Sequence, residues 1–169
     1  SNTLFSNPTP FQLSPATDWS KVSAGDNNTF IIKSNGTLWA MGKGSYGLLG
    51  NGSTTQSNPT LQQIGTAANW QKISASTDMT IGLKTDGTIW GQNDQYEMGN
   101  NTCCANQLTP IQIGTANHWV DIETSRGASV FALKNDGTIW GWGLNLGGLL
   151  ADNTVMARSV PTQLNTDTD

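Results

Sequence analysis

The sequence holds one histidine, two cysteines and few charges, and each shortage closes off a class of function. His118 stands directly before Trp119, with no nucleophile or metal-ligand partner at a useful spacing, so it makes no case for a catalytic base. Cys103 and Cys104 are adjacent, which permits only a strained ring between them and supplies neither a disulfide framework nor a zinc site. Charged residues are 12% of the chain and the net charge is −4, so there is no basic face of the kind that binds nucleic acid through its backbone. No apolar run is long enough to insert in a membrane. No glycine loop feeds a helix that could cradle phosphate. Asp26-Asn27-Asn28 and Asp152-Asn153 offer hard oxygens, but not at the spacing of a calcium loop. The reading therefore expects no cofactor, no metal and no catalytic residue.

What is abundant is glycine and uncharged polar residues, a composition suited to short strands and tight turns. It is also common among secreted or cell-surface bacterial proteins, which makes that setting the expectation, with the cytoplasm as the alternative. The start at Ser1-Asn2 reads as a tag scar, so any export signal is expected to have been removed.

The organising signal is a repeat. Asn35-Gly36-Thr37-Leu38-Trp39, Asp86-Gly87-Thr88-Ile89-Trp90 and Asp136-Gly137-Thr138-Ile139-Trp140 recur at intervals of 51 and 50 residues, a spacing typical of repeat architectures. A second set, Trp19, Trp70 and Trp119, keeps the same phase, and an aliphatic residue (Leu13, Ile64, Ile113) precedes each by six positions. Each unit reads as four short strands. The first begins at the leading tryptophan, and the second is a β-branched run such as Thr29–Lys33. The third follows a two-residue turn expected to be type I′, and the fourth is marked by proline (Pro59, Pro110, Pro161). A long glycine-rich connection joins the third strand to the fourth.

The expected fold is all-β: three four-stranded antiparallel β-propeller blades forming a partial propeller. Residues 1–18 read as the tail strand of a preceding repeat, followed by blades at 19–69, 70–118 and 119–169. Leu164 predicts a tryptophan at position 170, so the chain is expected to be part of a longer array or to be completed by another copy. The third unit has one residue more between its tryptophans, placed near Ser125 to Ala128, where a bulge or wider loop is expected. Trp39, Trp90 and Trp140 alternate with aliphatics and are expected to be buried.

Trp-x-x-(Val/Ile)-x-Ala-Gly, the Asp-Gly-Thr-aliphatic-Trp hairpin, and a loop closing in Leu-Gly resemble the regulator-of-chromosome-condensation repeat. Trp19 through Ile64, with Ala24-Gly25 and Tyr46-Gly47-Leu48-Leu49-Gly50, is the fullest match. The resemblance implies propeller blades, seven to a ring in the family, and protein binding: exchange factors for small GTPases, enzyme inhibitors or recognition modules. The family's His-Thr pair is replaced by Asn28-Thr29, Met79-Thr80 and Ala128-Ser129, so exchange activity is not carried over.

The functional expectation is a non-enzymatic scaffold that binds a protein or glycan through variable loop positions, namely Tyr46, Asn93, Tyr96, Arg126, Trp142 and Asn145. The alternative is self-association, most simply a homodimer completing a six-bladed ring. An enzyme on the loop face is the third reading.

Overall fold

Each tryptophan-led unit folds into its own antiparallel meander. The computed structural model describes residues 9–10, 12–93, 98–101, 107–126 and 128–164. The first sheet runs β1 (Trp19–Ala24), β2 (Asn28–Lys33), β3 (Leu38–Lys43) and β4 (Ser57–Gln63). The second runs β5 (Trp70–Ala75), β6 (Met79–Lys84), β7 (Ile89–Asn93) and β8 (Ile111–Gln112). The third runs β9 (Trp119–Thr124), β10 (Ser129–Lys134), β11 (Ile139–Gly143) and β12 (Arg158–Leu164). These are three blades of a partial propeller. β5 packs on β1 and β2, and β9 on β5 and β6, so the first strands converge on the axis side.

The hairpin turn differs from the expected type I′. Positive φ is confined to Gly36, Gly87 and Gly137, while Gly36 N–H donates to Lys33 O at 2.9 Å and Lys33 N–H to Thr37 O at 3.0 Å. That is a three-residue loop, a type I turn closed by a left-handed glycine. The cause lies in the residue before the glycine: the Oδ1 of Asn35, Asp86 and Asp136 accepts the N–H of the threonine two residues on at 3.1, 3.0 and 2.9 Å. The same oxygen accepts that threonine's hydroxyl, and the hydroxyl in turn accepts the indole N–H of Trp39, Trp90 or Trp140 at 3.1, 2.9 and 2.9 Å. The Asp/Asn-Gly-Thr-x-Trp motif is therefore one hydrogen-bonded chain. The threonine hydroxyl, chiefly, holds Asp86 and Asp136 below the usual carboxylate range.

This also corrects the burial expected of Trp39, Trp90 and Trp140, which are half-buried. Their rings stand edge-on to Trp19, Trp70 and Trp119 at 6.2, 6.5 and 5.8 Å. Lys33, Lys84 and Lys134 each lie over both rings of their pair. Of the leading tryptophans, Trp70 and Trp119 are buried, 5% and 4% exposed, while Trp19 is half-buried.

A bulge does occur in each blade, but directly after the leading tryptophan, where the register slips between Trp19 and Lys21 and between Trp70 and Lys72, and where Lys134 pairs with Trp119 but Leu133 with Asp121. Residues three apart on a regular strand point to opposite faces. The extra residue turns Trp70 and Ile73, and likewise Trp119 and Ile122, onto the same face, toward the preceding blade. Blade 1 receives the first pair on Phe30, Ile32, Leu38, Ala40, Leu49 and Ile64. Blade 2 receives the second on Met79, Ile81, Leu83, Ile89 and Ile113. The core thus lies between blades rather than within any one of them. The additional residue of the third unit lengthens the turn instead: Ser125 N–H reaches Ser129 O, where Gly25 and Ser76 reach the third residue on, and Ala128 takes φ +57°.

Candidate interaction surface

The ladder pairs Asn28 with Gly42, Met79 with Asn93 and Ser129 with Gly143, so the short turn before each second strand and the long connection after each third strand share one end of the stack. The hairpin turns occupy the other end. At the loop end the short turns meet near the axis, where Asp26 Oδ2 accepts the Thr77 hydroxyl at 2.9 Å and lies 3.6 Å from the Arg126 guanidinium. One residue from each blade contributes to this contact. Arg126 sits in the lengthened turn, and 87% of its side chain is exposed.

Farther out is Tyr46, in the 3-10 turn Ser45–Gly47, 44% exposed and held at φ +60°. The matching position of the third blade is Gly147 at φ +68°, in the turn Leu146–Gly148, so a bulky side chain occupies a left-handed site that glycine fills without strain. Asn93 ends β7 at the same end of the stack. Tyr96 lies outside the described residues, as do Cys103 and Cys104.

Two of the expected surface residues are interior. Trp142 is fully buried, tilted against Trp119 at 6.2 Å, and its indole N–H donates to Met98 O at 2.8 Å. The equivalent Gln92 of blade 2 donates to Leu48 O at 3.1 Å. In both cases the third strand reaches back to the long connection of the preceding blade. The position needs a donor with reach, supplied once by glutamine and once by tryptophan. This accounts for the one tryptophan that follows no tryptophan pattern; blade 1 carries Met41 there.

Asn145 is also buried, 1% exposed, donating to Asp152 Oδ1 at 3.0 Å and Thr154 O at 3.1 Å and accepting from Leu150 N–H at 2.8 Å. It belongs to a polar cage around Asp152, which pairs with Arg158 at 2.6 Å. The Thr154 hydroxyl, with Arg158 and Asn145 adding to it, pulls the Asp152 carboxyl down to about 2 against the opposing effect of desolvation. The sequence signal for this cage was the Asp-x-Thr spacing already used by the hairpin turns. Among the described residues, no group of three or more His, Cys, Asp or Glu side chains could hold a metal ion, and no helix is long and apolar enough to cross a membrane. His118 is exposed at the opposite, turn end.

The stacked meanders, with their cores between blades and their variable residues gathered at one end, define a β-propeller repeat protein. Models of the regulator of chromosome condensation (RCC1) repeat match residues 19–48 and 35–83. Over residues 19–83 the chain therefore carries RCC1-like repeats. The human probable E3 ubiquitin-protein ligase HERC6 is 29% identical over 163 residues, covering 94% of this chain and 16% of the relative. Protein pim1 of Schizosaccharomyces pombe is 29% identical over 136 residues, covering 75% of this chain and 24% of the relative. The chain thus spans a quarter or less of either protein. Among solved structures, Prp20p of Saccharomyces cerevisiae, described with its binding to Gsp1p and histones, superposes with a TM-score of 0.78 at 16% identity, over 89% of this chain and 39% of that one. Human WBSCR16 superposes with a TM-score of 0.77 at 14% identity, over 87% and 39%. At these identities the likeness speaks for the fold alone.

Proposed function

We propose that the chain is a non-enzymatic interaction scaffold that binds a protein, or alternatively a glycan, at its loop end. The observation that carries the reading is Arg126: an exposed arginine on a turn that is one residue longer than its equivalents, at the place where all three blades meet. Arginine and tyrosine are favoured where a few residues carry most of the binding energy, and Tyr46 stands on the same end. The structural neighbour Prp20p is described with protein partners, and yeast RCC1 (Prp20) has been solved bound to Kap60, which makes protein the leading partner class. A secreted or cell-surface setting suits the low charge, with the cytoplasm as the alternative.

Parallel protein and glycan arrays probed with the wild type, Arg126→Ala, Tyr46→Ala and a turn-end control, Asn117→Ala, test this. Binding to one class that falls at least tenfold with Arg126→Ala or Tyr46→Ala and persists in the control supports it. Binding unaffected by both loop-end variants, or turnover of an arrayed glycan, refutes it. A second reading, that chains pair to complete a six-bladed ring, is favoured by the apolar residues of the outermost blade faces, such as Val22 at 72% and Ile139 at 52% exposed.

A further inference from the structure

We infer that Asn35, at the tip of the first hairpin turn, is a site of spontaneous deamidation to aspartate, while the fold holds Asn51 back from the same reaction. These are the two asparagines of the chain that a glycine follows, in Asn35-Gly36 and Asn51-Gly52. The residue after each glycine is also alike, Thr37 in one case and Ser53 in the other. Glycine carries no Cβ, so its backbone nitrogen can close on the preceding side chain. That nitrogen attacks the asparagine Cγ and forms an N–Cγ bond. The Cγ–Nδ2 bond breaks, and Nδ2 leaves as ammonia with the proton that the backbone nitrogen gives up. Water then opens the succinimide ring at one of its two carbonyls, which yields aspartate or its isoaspartyl isomer. Water is the only reactant that the chain does not supply.

The surroundings of the two sites differ. Asn35 is exposed, and so is Asp86 at the equivalent turn tip of blade 2, which has a blade on either side; the exposure is therefore a property of the turn. The leaving group, Asn35 Nδ2, donates no hydrogen bond among the described residues. The bonds that open first are local to the turn: Gly36 N–H to Lys33 O at 2.9 Å, and those that Asn35 Oδ1 accepts from the Thr37 N–H at 3.1 Å and hydroxyl at 2.8 Å. The bond that reaches the next blade, from Trp70 N–H, falls on the Gly36 carbonyl, in the peptide plane after the reacting one. Asn51 is half-buried. Its Nδ2 donates to Gln62 Oε1 at 2.8 Å, its Oδ1 accepts from Ser53 N–H at 3.1 Å, and Gly52 N–H donates to Leu108 O at 2.8 Å. Its leaving nitrogen is thus tied to β4, and its attacking nitrogen is tied across the junction to blade 2.

The turn already accepts the product. Asp86 and Asp136 stand at the equivalent positions, and each takes its threonine's N–H, at 3.0 and 2.9 Å, and hydroxyl, at 2.6 Å in both. A carboxylate at position 35 keeps both bonds and accepts them more strongly than an amide. Lys33, paired with Asp18 at 3.1 Å, precedes it by two residues as Lys84 precedes Asp86. The isoaspartyl isomer instead carries the backbone through Cγ, which lengthens the turn by one atom and moves the carboxylate off the position that Thr37 meets. Deamidation to aspartate gives blade 1 the turn chemistry of blades 2 and 3 and adds one negative charge to the turn end.

Peptide mapping by mass spectrometry of the full chain, held at mildly alkaline pH either folded or in urea, tests the proposal. In urea the two sites are expected to convert at similar rates, because their sequences match. In the folded chain Asn35 is expected to convert about tenfold or more faster than Asn51, the effect of the additional bond across the junction that must open at Asn51. Similar rates in the folded chain, a faster Asn51, or an Asn35 that stays intact while the urea-treated chain converts would overturn the inference. A difference that persists unchanged in urea belongs to the local sequence and overturns the structural account. The variant Asn35→Asp is expected to keep the wild-type circular dichroism and urea midpoint; a lower midpoint overturns the claim that the turn accepts the product.

Discussion

Alanine at the three turn glycines makes the sharpest internal comparison, because the same substitution meets three equivalent turns with two different surroundings. Gly36, Gly87 and Gly137 have φ of +79°, +76° and +85°, so each loses about 1–2 kcal/mol when a Cβ enters the left-handed region. At Gly36 and Gly87 the new Cβ also meets the following linker, with the carbonyl carbons of Ala68 and Asn117 each 2.8 Å away. The linker must shift, which breaks the Trp70 or Trp119 amide bond to the turn and leaves a buried donor unsatisfied at about 1–3 kcal/mol. Gly36→Ala and Gly87→Ala should therefore each cost about 3 kcal/mol or more, and Gly137→Ala only about 1–2. Urea unfolding, at a concentration where light scattering shows a single chain, measures all three. Equal losses at the three sites would refute the reasoning, because they would mean that the junctions do not bear on the turns.

Trp142→Ala should cost about 3–5 kcal/mol, since it empties a fully buried site, while Trp39→Ala should cost clearly less at its half-buried one; urea midpoints decide. The Asp152 carboxyl, at about 2 in the folded chain against an ordinary 3.8, contributes stability that is fully present above pH 3.8 and is lost as pH falls toward 2. Carboxyl NMR titration should show that low value, rising in Arg158→Ala; an unchanged value in the variant would deny the ion pair a part in it.

The strands were legible because a repeated tryptophan is a ruler, and three copies in phase fix each blade against the others. The turn type was misread because Asn-Gly and Asp-Gly suit type I′ in isolation; the threonine two positions on, which captures the Asx oxygen, decides otherwise. The burial of Trp39, Trp90 and Trp140 was overestimated because alternation shows which face a residue takes, not whether a lysine and a second indole share it. Of the expected positions, Arg126 and Tyr46 are exposed at the loop end; Arg126 stands out in the letters because it departs from the repeat, whereas Tyr46 is matched by Tyr96. Trp142 looked like such a departure and is not, because its role is defined by Met98, 44 residues earlier in the neighbouring blade. No local pattern carries that contact.

The blades stack through leading tryptophans whose amides bond to the preceding turn, at 3.0 Å for Trp70 and 3.2 Å for Trp119. Residue-resolved hydrogen exchange tests it most directly. Stacked blades predict that both amides exchange only through global unfolding, as slowly as the centres of β6 and β10. Rapid exchange at Trp70 and Trp119 with β6 and β10 still protected would contradict it, leaving three folded sheets with no junction between them.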